Sequence, residues 1–318
     1  FDKNMSKIFF DEMGLRRPDF FLNINQLSHG AMTGRMIEKI EKILIKVKPD
    51  WVLIFGDTNS TLAGALAAVK LNIKIAHVES GLRSFNNSMP EEINRIIADR
   101  VSNLLFCPTK TAFKNLVTEG YKNYNNKTIS LVGDVMYDTF LHFSKKMKRP
   151  DFPISDNFIL ATIHRESNVN EKKLIEIFNA FSIISKNQNI VLPIHPRTKK
   201  IIDHLKINIA KNITVTSPVG YLEMLFLLNH CKMVVTDSGG LQKEAYFAKK
   251  QCILIREETE WEELVSNNFC KIAGPNQRKI IDFYNLFKNK EIIHKKEMLY
   301  GDGNSGELII QQICNFNK

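Results

Sequence analysis

Short β-branched segments alternate with amphipathic helical segments along almost the whole chain, and this alternation restricts the fold more than any other feature. Segments typical of strands are 51–56, 74–78, 103–107, 129–133, 157–162, 189–194, 213–216, 233–236 and 252–255. Segments typical of helices lie between them, among others at 33–47, 60–70, 90–100, 171–186, 220–229 and 241–248. This pattern predicts parallel sheets with helices on both faces, and such sheets bind ligands beyond the carboxyl ends of their strands.

The length of 318 residues suits two domains, because it is too long for one ordinary hydrophobic core. The segment 143–156 is polar and basic and contains two prolines, as expected of a linker. We therefore predict an α/β fold of two Rossmann-like domains, at 1–147 and 148–318, with a cleft between them. The last helix is expected to pack back onto the N-terminal domain. Residues 1–14 already read as helix, so a strand–helix–strand unit is expected to precede them.

The composition argues against several classes of protein. The net charge is +10, but the basic residues occur as scattered pairs without interleaved aromatics, which is untypical of nucleic-acid binding. No apolar run approaches the roughly 18 residues of a membrane span, and no signal peptide is recognisable. We therefore expect a cytoplasmic protein that binds neither nucleic acid nor membrane. The five cysteines are scattered without a CxxC pair, which argues against disulfides and against a metal site.

Polar residues follow the first two strands of the N-terminal half. Asp57 is placed to face a ligand, although it could equally cap the next helix. Glu79 directly follows a buried strand, where a carboxylate is unusual unless it has a partner such as Arg83. Glu91 and Arg95 lie four residues apart, on one face of a predicted helix. These residues suit a polar site, but Glu91 could also simply favour the positive end of the helix dipole.

Two strands of the C-terminal half end in histidine. His164 follows the first of them and His195 the second, with an arginine next to or near each. A histidine at a strand end can exchange a proton near neutral pH. One such histidine is more often a structural contact, but two on successive strands favour a functional site.

The segment Ser238-Gly239-Gly240 stands between an apolar strand and a helix. Glycine allows close approach to the backbone, and the free amides at the start of a helix suit a phosphate. Glu244 lies about a turn and a half further on, where its carboxylate could reach ribose hydroxyls. A tight turn with Ser238 as helix cap is the alternative, and the strand–turn–helix context favours the phosphate site.

These segments together resemble the non-hydrolysing UDP-N-acetylglucosamine 2-epimerase family. The matching stretches run in order along nearly the whole chain: GDTNSTLAGALAA (56–68), HVESGLRS (77–84), MPEEINR (89–95), TIHRES (162–167), PIHPR (193–197), DSGGLQKEA (237–245) and YGDG (300–303). The resemblance implies the architecture of GT-B glycosyltransferases and a homodimer. Trp261 in the sequence Thr-Glu-Trp looks closer to the branch that handles modified sugars such as UDP-2,3-diacetamido-uronic acid.

The resemblance also implies roles for individual residues. It implies catalytic roles for four of them: Asp57, Glu79, Glu91 and His164. It implies substrate contacts for nine others: Arg83, Arg95, Arg165, His195, Ser238, Gly239, Gly240, Glu244 and Trp261. Among these, the Ser-Gly-Gly turn would bind the diphosphate and Glu244 the ribose.

The expected reaction is inversion at C2 of a UDP-N-acetylhexosamine for surface polysaccharide precursors. The C2 proton is not acidic by itself, since no carbonyl lies beside it. Departure of UDP from C1 makes it acidic and yields a glycal, and proton and UDP then add back. This scheme needs acid/base groups on both sides of C2 but no cofactor, and no GxGxxG fingerprint is present. A hydrolysing 2-epimerase that releases free sugar and UDP, a GT-B glycosyltransferase and a non-catalytic binding protein remain the alternatives.

Overall fold

The computed structural model describes residue 10 and residues 12–164, 170–289 and 298–316. Its strands form two separate parallel sheets with helices between successive strands, so the predicted α/β fold is confirmed. The chain divides into two compact units. Described residues of unit 1 lie within 16–138 and 298–316, and those of unit 2 lie within 10–15, 139–164 and 170–289.

Unit 1 contains a parallel sheet in the order β1-β2-β3-β4. Its elements are α1 (His29–Val47), β1 (Trp51–Phe55), α2 (Asn59–Lys70), β2 (Lys74–Val78), α3 (Pro90–Val101), β3 (Leu104–Cys107), α4 (Lys110–Thr118) and β4 (Thr128–Leu131). The inner strands β2 and β3 are almost entirely buried, as parallel strands covered on both faces should be. Their carboxyl ends therefore lie side by side at one edge of the sheet.

Unit 2 contains a six-stranded parallel sheet in the order β10-β9-β8-β5-β6-β7. Its strands are β5 (Phe158–Thr162), β6 (Asn189–Pro193), β7 (Ile213–Thr216), β8 (Met233–Thr236), β9 (Gln251–Leu254) and β10 (Cys270–Ile272). The helices are α6 (Glu171–Ile184), α7 (Pro196–His204), α8 (Tyr221–His230), α9 (Gly239–Phe247), α10 (Glu262–Ser266) and α11 (Gln277–Phe287). Strand β10 was not predicted, because its three residues are too few to show a periodic pattern.

The division between the units falls within helix α5 (Val135–Ser144), just before the predicted boundary at residue 147. The last helix, α12 (Ser305–Asn315), belongs to unit 1. Its Ile309 is 3% exposed and joins a core cluster with residues of β2 and β3. Within the described ranges, no helix is both long enough and apolar enough to cross a membrane.

Gly81 lies where the loop after β2 passes helix α4, and its conformation and surroundings both require glycine. Its φ is +81°, in the left-handed region that side chains disfavour. A Cβ at this position would lie 2.4 Å from the carbonyl oxygen of Ala112 in α4. The loop that carries Glu79 thus contacts α4 too closely for any other residue type.

We predict that Gly81→Ala destabilises the fold far more than Gly120→Ala. Gly120 has the nearly identical φ of +82°, but a Cβ there would meet only the Asn123 side-chain nitrogen at 3.7 Å. Gly120→Ala should therefore cost only about 1 kcal/mol from the left-handed backbone, while Gly81→Ala adds a backbone collision. Urea unfolding of both variants measures the difference. Equal losses would show that the approach to Ala112 is not tight.

Candidate active site

Asp57 and Arg95 form an ion pair at the carboxyl end of β1. Arg95, from α3, donates through Nε and Nη2 to Oδ2 of Asp57, and the Nε–Oδ2 distance is 3.2 Å. Thr58 caps helix α2 instead of Asp57, since its side chain accepts from the Thr61 amide. The Asp57 carboxylate, 28% exposed, is thus directed toward the strand-end edge rather than used as a cap.

The second carboxylate partner of Arg95 is Glu92, the neighbour of the predicted site residue Glu91. The Arg95 Nη1 lies 2.8 Å from Oε2 of Glu92, whose side chain is 1% exposed. Glu92 also accepts hydrogen bonds from the backbone amides of Ser84 and Phe85. Glu91, by contrast, is exposed on the first turn of α3. The structure therefore brings Glu92, rather than Glu91, to the guanidinium of Arg95, and the catalytic role expected of Glu91 stays a prediction.

Glu79 directly follows β2 and has a φ of +71°, which is uncommon for a residue with a side chain. Such strained backbone is concentrated at functional sites. A Cβ on Gly56 would lie 3.3 Å from Oε2 of Glu79, so this carboxylate lies against the turn that carries Asp57. The structure thus brings the two predicted catalytic carboxylates Asp57 and Glu79 to one edge of the sheet.

His77 lies beneath this edge and is completely buried. Its Nδ1 is 2.7 Å from Oδ1 of Asp99 in α3, and its Nε2 is 2.8 Å from the Gly56 carbonyl oxygen. A carboxylate and a carbonyl can only accept hydrogen bonds, so both ring nitrogens must donate and the ring must be an imidazolium. Burial alone would disfavour this charge, but the Asp99 hydrogen bond and charge outweigh it and raise the pKa of His77.

Arg83 completes the buried network below the site. Its Nη1 donates to Oδ2 of Asp99 at 2.7 Å, and its Nε and Nη2 donate to the two carboxylate oxygens of Glu119 at 2.7 and 2.8 Å. The side chain is 1% exposed. A substrate contact was predicted for Arg83, with an ion pair to Glu79 as the alternative. The structure places its guanidinium against Asp99 and Glu119, in a network that fixes the loop after β2, and the substrate contact stays a prediction.

In unit 2 the strand order reverses between β5 and β8, which are neighbours although β6 and β7 lie between them in sequence. Such a switch point is where open parallel sheets bind ligands. His164 follows β5 and Asp237 follows β8, and the His164 amide donates to both Asp237 carboxylate oxygens at 3.0 and 3.1 Å. The predicted residues His164 and Ser238 therefore lie at the position that the topology favours for a ligand.

The two strand-end histidines differ in environment. Limited hydration lowers the pKa of His164, the nearby His195 lowers it further, and Asp237 opposes both effects. His164 is therefore neutral at pH 7 and able to accept a proton. His195 caps α7, with its Nδ1 accepting from the Arg197 amide at 3.2 Å. The predicted site residue Arg165 lies outside the described residues.

The turn Ser238-Gly239-Gly240 begins helix α9, where Ser238 accepts from the Leu241 amide. A Cβ on Gly239 would lie 2.6 Å from Oε1 of Glu260, so a larger residue here would displace the end of that side chain. Glu260 in turn pairs with the buried Arg256 at 3.0 Å. This charged pair was not predicted from the sequence. Arg256 is the second residue after β9, so its position near a strand end could have indicated it.

Glu244 and Trp261, both predicted to contact substrate, are buried within unit 2. Glu244 is 7% exposed and accepts a hydrogen bond from the Tyr221 hydroxyl at 3.0 Å. Trp261 is 3% exposed, and the Lys243 ammonium lies 3.9 Å from the centre of its ring. The placement of Trp261 therefore supports a packing role beneath α9. Tyr221 was not singled out in the sequence, since nothing local marks it as a partner of Glu244.

Among the residues that the structure describes, no group of three or more histidine, cysteine, aspartate or glutamate side chains could hold a metal ion. The five cysteines are free thiols in the structure, and four of them are buried. Burial raises the pKa of Cys231 to about 12, so this thiol stays protonated and unreactive at neutral pH.

The two Rossmann-type units, one with strand-end carboxylates and one with a helix start at a switch point, define a GT-B-type nucleotide-sugar enzyme. A profile of the family described as "UDP-N-acetylglucosamine 2-epimerase" matches residues 1–314. The chain belongs to this family, which consists of isomerases, and the predicted resemblance is confirmed.

Individual relatives agree with this membership. A "UDP-N-acetylglucosamine 2-epimerase homolog" of Methanococcus maripaludis is 48% identical over 99% of this chain and 89% of that protein. The UDP-2,3-diacetamido-2,3-dideoxy-D-glucuronate 2-epimerase of Pseudomonas aeruginosa is 46% identical over 99% and 88%. The crystal structure of Methanocaldococcus jannaschii UDP-GlcNAc 2-epimerase in complex with UDP-GlcNAc and UDP has a TM-score of 0.88 and 40% identity, covering 99% of this chain and 89% of that one.

We predict that the ring of His77 loses its proton at a higher pH than an ordinary histidine, whose pKa is about 6.5, because both of its ring nitrogens donate hydrogen bonds. In a pH titration, the ¹⁵N shifts of its two ring nitrogens should stay similar above that pH, whereas a neutral ring shows two widely separated values. Asp99→Asn removes the main cause of the raised pKa, so it identifies the signal and should move its titration to lower pH. Titration of every histidine of the unmutated protein at or below the ordinary value would contradict the prediction.

The same pair makes stability depend on pH in opposite directions. The contribution of His77 is complete below about pH 6.5 and is lost as the pH rises through its raised pKa. The pKa of Asp99 is lowered, because the hydrogen bond and charge of His77 outweigh burial, so its contribution is lost as the pH falls through that value. Asp99→Asn should cost about 3–5 kcal/mol near neutrality and less at alkaline pH, as urea unfolding can measure. The exposed Asp50→Asn is the matched control.

Proposed function

We propose that this protein inverts the configuration at C2 of a UDP-N-acetylhexosamine-type sugar without releasing the sugar from UDP. Membership in the 2-epimerase family supports this. The observation that carries it is the pair of strand-end carboxylates, Asp57 and Glu79, held against one turn above the buried imidazolium of His77. Neither a glycosyltransferase nor a binding protein needs two such groups near the reacting carbon.

The reaction proceeds by elimination and re-addition. The C1–O bond breaks and its electron pair leaves with UDP, while a carboxylate of unit 1 takes the C2 proton and a C1–C2 double bond forms. A proton then adds to the opposite face of C2, and the UDP oxygen bonds again to C1. The step demands one base and one acid on the two sides of C2, and the two strand-end carboxylates can share these roles.

The leaving diphosphate needs a region of positive potential. The amides of Gly239 and Gly240 at the start of α9 supply it, together with the positive end of the helix dipole. His164 lies beside this turn at the end of the neighbouring strand β5, and His195 follows at the end of β6. Arg165 is predicted from the sequence to add a cation. Glu244, one turn further along α9, accepts hydrogen bonds from the ribose.

The names of two relatives indicate two candidate substrates for this protein. The Pseudomonas aeruginosa relative is named for UDP-2,3-diacetamido-2,3-dideoxy-D-glucuronate, and the Methanocaldococcus jannaschii relative for UDP-N-acetylglucosamine. We propose that this protein acts on a sugar of the diacetamido-uronate branch, because its relative in that branch is 46% identical against 42% for the other. The homodimer, the cytoplasmic location and the role in polysaccharide precursors remain predictions.

We predict that Glu79→Gln and Asp57→Asn each lower kcat by at least about 100-fold, because each removes an acid/base group. Binding of UDP should stay within about threefold, since the nucleotide contacts lie in unit 2. Turnover is followed as deuterium incorporation at C2 in heavy water with the nucleotide still attached, for both candidate sugars. Calorimetry with UDP measures binding.

Glu38→Gln is the control, because it removes one exposed carboxylate from α1, where Glu38 pairs with Lys42. It should retain full activity. Near-full exchange in Glu79→Gln or Asp57→Asn would overturn the assignment of those carboxylates. Release of free sugar and UDP would indicate the hydrolysing reaction, and transfer to an acceptor without C2 exchange would indicate a glycosyltransferase.

A further inference from the structure

We propose that Tyr221 is a positioning residue that holds Glu244 in the geometry needed to accept hydrogen bonds from the ribose hydroxyls of the nucleotide. The pair would make the protein select ribonucleotide over deoxyribonucleotide ligands. This inference rests on the proposed function only in that it takes a uridine nucleotide as the ligand of unit 2. The residue that it adds to that function is Tyr221, which lies before strand β8 in sequence, whereas Glu244 lies after it.

Glu244 requires a hydrogen-bond donor because it is buried. Its side chain lies in the second turn of α9 and is 7% exposed, and a buried carboxylate is costly unless it is paired. The Tyr221 hydroxyl donates to its Oε1 at 3.0 Å. A carboxylate accepts several hydrogen bonds at once, so a phenol bond and ribose hydroxyls are compatible on one group. The phenol sets the direction in which the carboxylate accepts.

Tyr221 itself is firmly held. It is the first residue of α8, and its ring packs edge-on against Phe143 with 6.0 Å between ring centres. Its backbone amide donates to Oε2 of Glu12 at 2.9 Å. Burial, together with the neighbouring Glu244 carboxylate, raises the pKa of Tyr221 well above its ordinary range. The hydroxyl therefore remains protonated and keeps donating throughout the pH range of any assay.

The choice of a neutral donor has a chemical consequence. An arginine or lysine at this place would neutralise the carboxylate and weaken it as an acceptor for a ligand. A phenol orients the carboxylate and leaves its negative charge to act on the ribose hydroxyls, in charge-assisted hydrogen bonds. A ligand that lacks these hydroxyls gives up the hydrogen bonds that they would donate to the carboxylate, and sites built to bind substrate hydroxyls reject such analogues strongly.

The test compares the affinities of UDP and 2′,3′-dideoxy-UDP by calorimetry in four proteins: the unmutated chain, Tyr221→Phe, Glu244→Gln and the double variant. The unmutated protein should bind UDP at least about tenfold more tightly than the dideoxy analogue. Tyr221→Phe should reduce this ratio to about threefold or less, mainly by weakening UDP. In the Glu244→Gln background, adding Tyr221→Phe should leave the ratio unchanged, because the hydroxyl acts through Glu244.

Kinetics supply a second readout. Because the ribose contact is made equally in ground state and transition state, Tyr221→Phe should raise KM several-fold with little change in kcat. Tyr284→Phe is the matched control, since it deletes a phenol oxygen from a residue 8% exposed on α11, which packs against α6. If the Tyr221 hydroxyl had only a structural role, Tyr221→Phe and Tyr284→Phe would both change stability, and neither would change the ratio of the UDP and dideoxy-UDP affinities.

Three outcomes would overturn the proposal. The first is an unchanged or increased ratio in Tyr221→Phe. The second is a further fall of the ratio when Tyr221→Phe is added to Glu244→Gln, which would mean direct contact with the ligand. This comparison remains decisive if Tyr221→Phe alone does not fold, because the double variant buries no unpaired carboxylate. The third is an unmutated protein that binds both ligands equally, which refutes the ribose role of Glu244 whether or not C2 exchange is observed.

Discussion

The buried charge network of His77, Asp99 and Arg83 is the constraint on which the rest of unit 1 depends. It joins the end of β1, through the Gly56 carbonyl, to β2, α3 and, through Glu119, the end of α4. Two positive and two negative groups alternate along it, so their charges balance inside the protein, where an unpaired charge would be costly. Glu79 holds its uncommon backbone conformation between His77 and Gly81, both of which the network fixes through Asp99.

Much of the fold could be predicted because the alternation of strand and helix segments in a parallel α/β chain is visible in its sequence. Each of the nine predicted strands overlaps an observed one, and Asp57, Glu79, His164 and Ser238 occupy strand ends as expected. What the sequence does not reveal is the partner of each charged group. Arg83 pairs with residues 16 and 36 positions away, and the choice between Glu91 and Glu92 depends on which one the loop at Ser84 approaches. These are tertiary contacts, and no local pattern encodes them.

The two units share one architecture but have different charged and polar groups at their strand ends. Unit 1 stabilises carboxylates at its strand ends by placing cations beneath and beside them, His77 below and Arg95 alongside. At its switch point, unit 2 has the amides at the start of α9, the Asp237 carboxylate that accepts from the His164 amide, and the Tyr221 hydroxyl that donates to Glu244. In the proposed reaction, the carboxylates of unit 1 serve proton transfer and the helix start of unit 2 serves anion binding.

The placement of α12 has a consequence for the order in which the chain becomes complete. Residues 298–316 belong to unit 1, where Gly301 lies so close to Gly133 that a Cβ on it would be 2.9 Å from the Gly133 Cα. On the ribosome, all described residues of unit 2 are therefore synthesised before unit 1 has received its last helix. Most of unit 1 is thus made before unit 2 but is completed after it, and until then the apolar faces of β2 and β3 that Ile309 covers stay open to chaperones and to aggregation.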